Sequence, residues 1–166
     1  MKNVNPTFET NIGPGPKNYS YGTVEKNNTV LQVINWLLIL LWFYTALDKL
    51  IFYSAYKLTM QGQIFPQPWL QYMIPAIPII ELIAGMLLLK SALRIFGLIL
   101  SLILMAFFTV YVALVVYGFF PAKPCACAGL FRNLNWNTHL VINIFFLLVA
   151  LLGIIVYRFR RKEAKE

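Results

Sequence analysis

Four stretches of this chain are long and apolar enough to cross a bilayer, and nothing else in the sequence constrains the fold so tightly. They fall at about 30–53, 69–89, 95–120 and 140–157. A hydrocarbon core about 30 Å thick needs about 20 mainly apolar residues at the helical rise of ~1.5 Å. Within lipid, backbone polar groups must be bonded inside their own segment or around a closed barrel. These runs are uniformly apolar and do not alternate as barrel strands would, so they are predicted to be helices. The chain therefore reads as an all-α integral membrane protein, a four-transmembrane-helix bundle with helices at about 30–56, 69–89, 92–120 and 137–158. Composition agrees: 60% of the 166 residues are hydrophobic and 12% charged. That balance excludes an ordinary soluble domain, a disordered chain and a small secreted disulfide scaffold.

Residues 1–27 are polar and rich in Asn, Pro and Gly, as in Asn11-Ile12-Gly13-Pro14-Gly15-Pro16. Such a composition cannot bury a core and is expected to form a flexible cytoplasmic tail. The first apolar run begins too far from Met1 for a conventional signal peptide, so the first helix is expected to be a retained anchor. The membrane domain is assigned to 28–158 and a basic cytoplasmic tail to 159–166.

The basic residues orient the bundle. Lys2, Lys17 and Lys26 lie in the N-terminal tail, Lys90 and Arg94 in the turn between the second and third helices, and Arg158, Arg160, Arg161, Lys162 and Lys165 at the C-terminus. That side holds 10 of the 14 Lys and Arg, against Lys49, Lys57, Lys123 and Arg132 on the other. The expected topology is N-in, C-in, in a bacterial inner membrane, with the first and third loops facing the periplasm. The net charge of +8 is thereby a topology anchor in contact with membrane lipid, and a nucleic-acid partner is not expected.

The third loop contains Pro124-Cys125-Ala126-Cys127-Ala128-Gly129, and these are the only two cysteines in the chain. The outer compartment permits disulfides. A bridge between residues this close adds little loop-closure stabilisation and demands a strained turn. Strained, exposed disulfides are the labile or catalytic ones, so the pair suits electron exchange better than reinforcement of the fold. Inert thiols, or two ligands for a soft metal such as Cu(I) with His139 assisting, are the other readings.

Thiolate chemistry needs a nearby base or a lowered pKa. His139, the only histidine, stands at the outer end of the fourth helix, with Asn143 one turn later on the same face. Asp48 and Lys49 lie near the outer end of the first helix; Lys49 is expected to snorkel outward and Asp48 to point into the bundle. Glu81 lies about 13 Å from the inner edge by helical rise, so it is expected to face the interior, paired or protonated. Pro75 and Pro78 precede it, able to free carbonyls, and Ala84 and Gly85 follow, small enough for close packing. Asn35, Ser101 and Thr109 are expected to make helix–helix contacts.

Leu47-Asp48-Lys49-Leu50 ending the first helix and Pro78-Ile79-Ile80-Glu81-Leu82-Ile83-Ala84-Gly85 in the second resemble the DoxX-like superfamily. The loop Cys125-Ala126-Cys127-Ala128-Gly129, followed by Trp136, His139-Leu140 and Asn143, resembles its MauE branch, the methylamine utilisation protein E type. The resemblance covers about residues 30–157. It departs at Ala128, where a second glycine of the Cys-x-Cys-x-Gly neighbourhood is expected.

The resemblance implies thiol–disulfide exchange at Cys125 and Cys127 with a periplasmic thioredoxin-like or client protein, as in maturation of methylamine dehydrogenase. His139 would carry protons, with Asp48, Glu81, Asn143 and Lys49 as supporting polar groups. Electrons would leave to a soluble partner or to membrane quinone. Four-helix quinone-coupled disulfide enzymes offer a looser analogy, since they use a Cys-x-x-Cys pair and a second cysteine pair that this chain lacks. The remaining alternatives are a Cu(I)-binding membrane protein and a non-catalytic assembly subunit of a larger membrane complex.

Overall fold

The structure, a computed structural model, describes residues 29–62, 66–119 and 135–163. Among them, α1 (Thr29–Ile51), α2 (Tyr53–Gln61), α3 (Gln67–Leu89), a single 3-10 turn (Ser91–Leu93), α4 (Arg94–Val116) and α5 (Trp136–Glu163) follow in order. The four long helices α1, α3, α4 and α5 carry the apolar length needed to span a membrane. They pack as α1 on α3, α3 on α4, α4 on α5 and α5 back on α1, a closed ring of neighbours. Their outward faces carry large apolar side chains such as Trp36, Leu40, Phe107, Val141, Phe145 and Leu152, the surface a lipid-facing bundle requires.

The buried side of α1 explains the packing. Leu31, Leu38 and Thr45 recur every seven residues, as do Asn35, Trp42 and Lys49, and all six are buried. Spacing of this kind keeps one seam of a helix facing its neighbours through several turns. Leu31, Leu38 and Trp42 meet Ala84, Leu88, Leu98, Val149 and Ala150 in the central apolar cluster. Close approach depends on small residues: a Cβ on Gly97 would lie 2.9 Å from the Leu88 backbone nitrogen, and one on Gly153 would lie 2.9 Å from Leu98 Cδ2. Gly85 lies against the ring of Phe43 in the same way, as expected for the Ala84-Gly85 step.

Three helix ends differ from the expected ones. The segment expected as one helix over 30–56 is divided at Phe52, whose ψ of 40° leaves the helical region. Bonds from Phe52 N–H to Asp48 O and from Tyr56 N–H to Phe52 O carry the ladder across the break. α4 ends at Val116 rather than 120, because Gly118 takes a φ of 77° and closes a Schellman cap. Its bonds run from Gly118 N–H to Val115 O and from Phe119 N–H to Leu114 O. α5 continues past 158 through the basic run to Glu163, with Arg160, Arg161 and Lys162 in a last turn where the helix dipole favours cations.

Candidate functional site

Three residues on the α1 seam, Asn35, Trp42 and Lys49, each tie that helix to a different place in the bundle. Asn35 Nδ2 donates to the Leu88 carbonyl near the end of α3 at 3.2 Å. Trp42 Nε1 donates to Ser101 Oγ of α4 at 2.8 Å, crossing the middle of the bundle. Lys49 Nζ donates to Glu81 Oε1 at 2.7 Å and Oε2 at 2.9 Å, and to the Thr45 carbonyl at 3.3 Å. Asn35 and Ser101 thus make the interhelical contacts expected of them. Thr109 does not: its hydroxyl returns to the Met105 carbonyl one turn back in its own helix.

Lys49 corrects the reading of helix one. It does not snorkel outward but is buried at 4% exposure, whereas Asp48 is only half-buried. The direction follows from the backbone. Side chains lean toward the N-terminus of their own helix, and α1 and α3 are antiparallel. With Asn35 level with Leu88, the Lys49 backbone stands about 10 Å beyond that of Glu81 at the helical rise. Lys49 leans back and Glu81 leans forward, and the two charges meet. Glu81, 1% exposed, therefore faces the interior and is paired, as its depth required.

The ion pair borders a cavity of about 260 Å³ in the half of the bundle where α4 ends and α5 begins. α1 supplies Trp42, Thr45 and Lys49; α2 supplies Tyr56 and Met60; α3 supplies Met73, Ile77, Ile80 and Glu81. α4 contributes Met105, Phe107, Phe108 and Tyr111, and α5 contributes His139, Ile142, Asn143 and Phe146. A satellite cluster of Tyr56, Met60, Leu70 and Ile74 fastens α2 to α3 at this end. His139 is buried at 3% exposure, one turn into α5, and its ring stacks on Trp136 with centroids 6.4 Å apart. Asn143 is 8% exposed, and its Nδ2 has no hydrogen-bond partner among the described residues.

The structure thus brings Lys49, Glu81, His139 and Asn143 to one cavity, and Asp48 is not among its lining residues. Trp42, Thr45 and Tyr111 were not singled out from the sequence. The seven-residue spacing of Trp42 from Lys49 was the available signal for the first. Cys125 and Cys127 lie outside the described residues, in the connection between Phe119 and Asn135. Among the described residues, no group of three or more His, Cys, Asp or Glu side chains is placed to hold a metal ion.

Comparison with known proteins gives one match. The sequence model of the family described as methylamine utilisation protein MauE matches residues 27–156. No curated protein and no solved structure matches the chain. The matched segment takes in the first three spans and most of the fourth, the Lys49–Glu81 pair, the connection carrying both cysteines and the His139–Asn143 face. This multi-pass membrane chain belongs to the MauE family, which is tied to methylamine utilisation.

Proposed function

We propose that the protein is a membrane component of thiol–disulfide exchange, working at Cys125 and Cys127. The observation that carries the reading is one of topology. The chain's only cysteines fall between α4 and α5, and α5 opens with a buried histidine. The basic residues gathered at the opposite end favour a cytoplasmic location for both termini and a periplasmic one for this connection. In a bacterial inner membrane, that compartment sustains disulfide chemistry.

The reaction is exchange through a mixed disulfide. A thiolate of a periplasmic thioredoxin-like or client protein attacks the Cys125–Cys127 disulfide and displaces one of its sulfurs. A second partner thiolate then attacks the mixed bond, leaving the partner oxidised and both cysteines of this chain reduced. His139 takes up and returns protons as thiols become thiolates. The Lys49–Glu81 pair holds α1 against α3, keeping the histidine's surroundings fixed. Family membership favours a client matured for methylamine utilisation.

Differential alkylation of Cys125 and Cys127 in intact membranes tests the proposal. Thiols that interconvert rapidly between reduced and oxidised forms when the medium is shifted support it. Thiols that remain permanently reduced count against it.

A further inference from the structure

We propose that the cavity in the half of the bundle where α4 ends and α5 begins binds the ring of a membrane-soluble quinone. Its walls are aromatic and thioether groups, including Trp42, Phe108, Phe146, Met73 and Met105. Such side chains suit a flat, polarisable ring. An apolar cavity of about 150 Å³ accepts benzene, so about 260 Å³ has room for a substituted ring. Two lining residues, Ile80 at 37% and Phe107 at 72% exposure, stand on the outer surface of α3 and α4. The cavity therefore reaches the lipid-facing side of the bundle, the route by which a lipophilic molecule would enter.

The polar groups narrow the ligand further. Lys49 and Glu81 neutralise each other, and the three ammonium protons already have acceptors in Glu81 Oε1, Glu81 Oε2 and the Thr45 carbonyl. The pair thus offers no free charge to an anion or a metal ion. Asn143 Nδ2 is different: it is buried, borders the cavity and has no acceptor among the described residues. A buried amide donor left unpaired is costly, and a ligand carbonyl would satisfy it. A neutral ring bearing carbonyls meets both conditions, whereas a plain acyl chain meets only the apolar one.

The inference deepens the proposed thiol–disulfide reading and rests on it for its purpose. Oxidation of the Cys125 and Cys127 thiols breaks two S–H bonds and forms one S–S bond, releasing two electrons and two protons. A quinone takes up both and leaves as the quinol with two O–H bonds, so a single cysteine pair suffices where the ring lies at the end of the bundle that carries it.

The test uses the purified full chain in detergent, labelled by an azido derivative of decyl-ubiquinone, with decyl-ubiquinone or decylbenzene as competitor. Saturable labelling of cavity residues is expected, protected by decyl-ubiquinone and not by decylbenzene. Asn143→Leu should raise the decyl-ubiquinone concentration for half-protection about fivefold, the loss of one hydrogen bond. Ile80→Trp, a change on the lipid-facing surface that the fold should accept, should suppress labelling by narrowing the mouth. Non-saturable or scattered labelling would overturn the inference. So would equal protection by decylbenzene with no effect of Asn143→Leu, which would identify an acyl-chain pocket. The Cys125→Ser/Cys127→Ser variant should label like the native chain. Labelling without any mixed disulfide in partner trapping would defeat the thiol reading alone, and a mixed disulfide without labelling would defeat the quinone alone.

Discussion

Lys49 Nζ lies 2.7 Å from Glu81 Oε1 and 2.9 Å from Oε2, with both side chains almost wholly buried between α1 and α3. A paired charge deep in a bundle is tolerated only while its partner remains. Lys49→Met or Glu81→Leu alone should each destabilise the fold by about 3–5 kcal/mol, because each strands one buried charge. The double variant should recover most of that loss. Unfolding of the three variants in detergent measures it, and additive losses would show that the two residues do not act as a pair.

Trp42 and Ser101 link α1 to α4 through a single 2.8 Å hydrogen bond. A double-mutant cycle with Trp42→Phe and Ser101→Ala should return a coupling energy of about 1 kcal/mol. A coupling indistinguishable from zero would mean that the bond does not hold α1 to α4.

Gly97 and Gly153 both sit at helix crossings, but their neighbours differ. The nearest atoms to an added Cβ on Gly97 include the backbone nitrogen of Leu88, whereas those on Gly153 are side-chain atoms of Leu98 and Ile34. Backbone cannot rotate away as a leucine terminus can. Gly97→Ala should therefore cost about 1–3 kcal/mol, with Gly153→Ala distinctly milder. Thermal unfolding of the two single variants gives the order directly, and equal losses would contradict it.

His139 tests the proton-carrying role apart from packing. His139→Phe keeps a ring against Trp136 and removes both ring nitrogens. Thiol–disulfide exchange should slow about a hundredfold, within the range for loss of a general acid–base group. An unchanged exchange rate would confine His139 to a packing role.

Much of the architecture is legible in the sequence, because span length and the absence of alternation leave a four-helix bundle as the remaining solution. The division at Phe52 is not, since it depends on one backbone angle that no local residue type demands. The left-handed stop at Gly118 could have been read from the glycine that precedes Phe119-Phe120-Pro121. Glu81's inward orientation followed from its depth. Lys49's did not, because its place near a helix end suggested an outward reach. The repeat Asn35, Trp42, Lys49 held the answer: position 49 falls on the buried seam and position 48 does not. Asn143 was legible as a neighbour of His139, but its unpaired amide belongs to a cavity assembled from five helices, which no local pattern encodes.

Cys125 and Cys127 are proposed to exchange disulfides with a partner. Cys125→Ser and Cys127→Ser single variants, expressed with periplasmic proteins present and quenched by acid and alkylation, test it most directly. Thiol exchange through a mixed disulfide requires one of the two to accumulate a covalent adduct that disappears on reduction and is absent from the double variant. If neither variant traps a partner and both retain full biological activity, the cysteines are not the reacting groups.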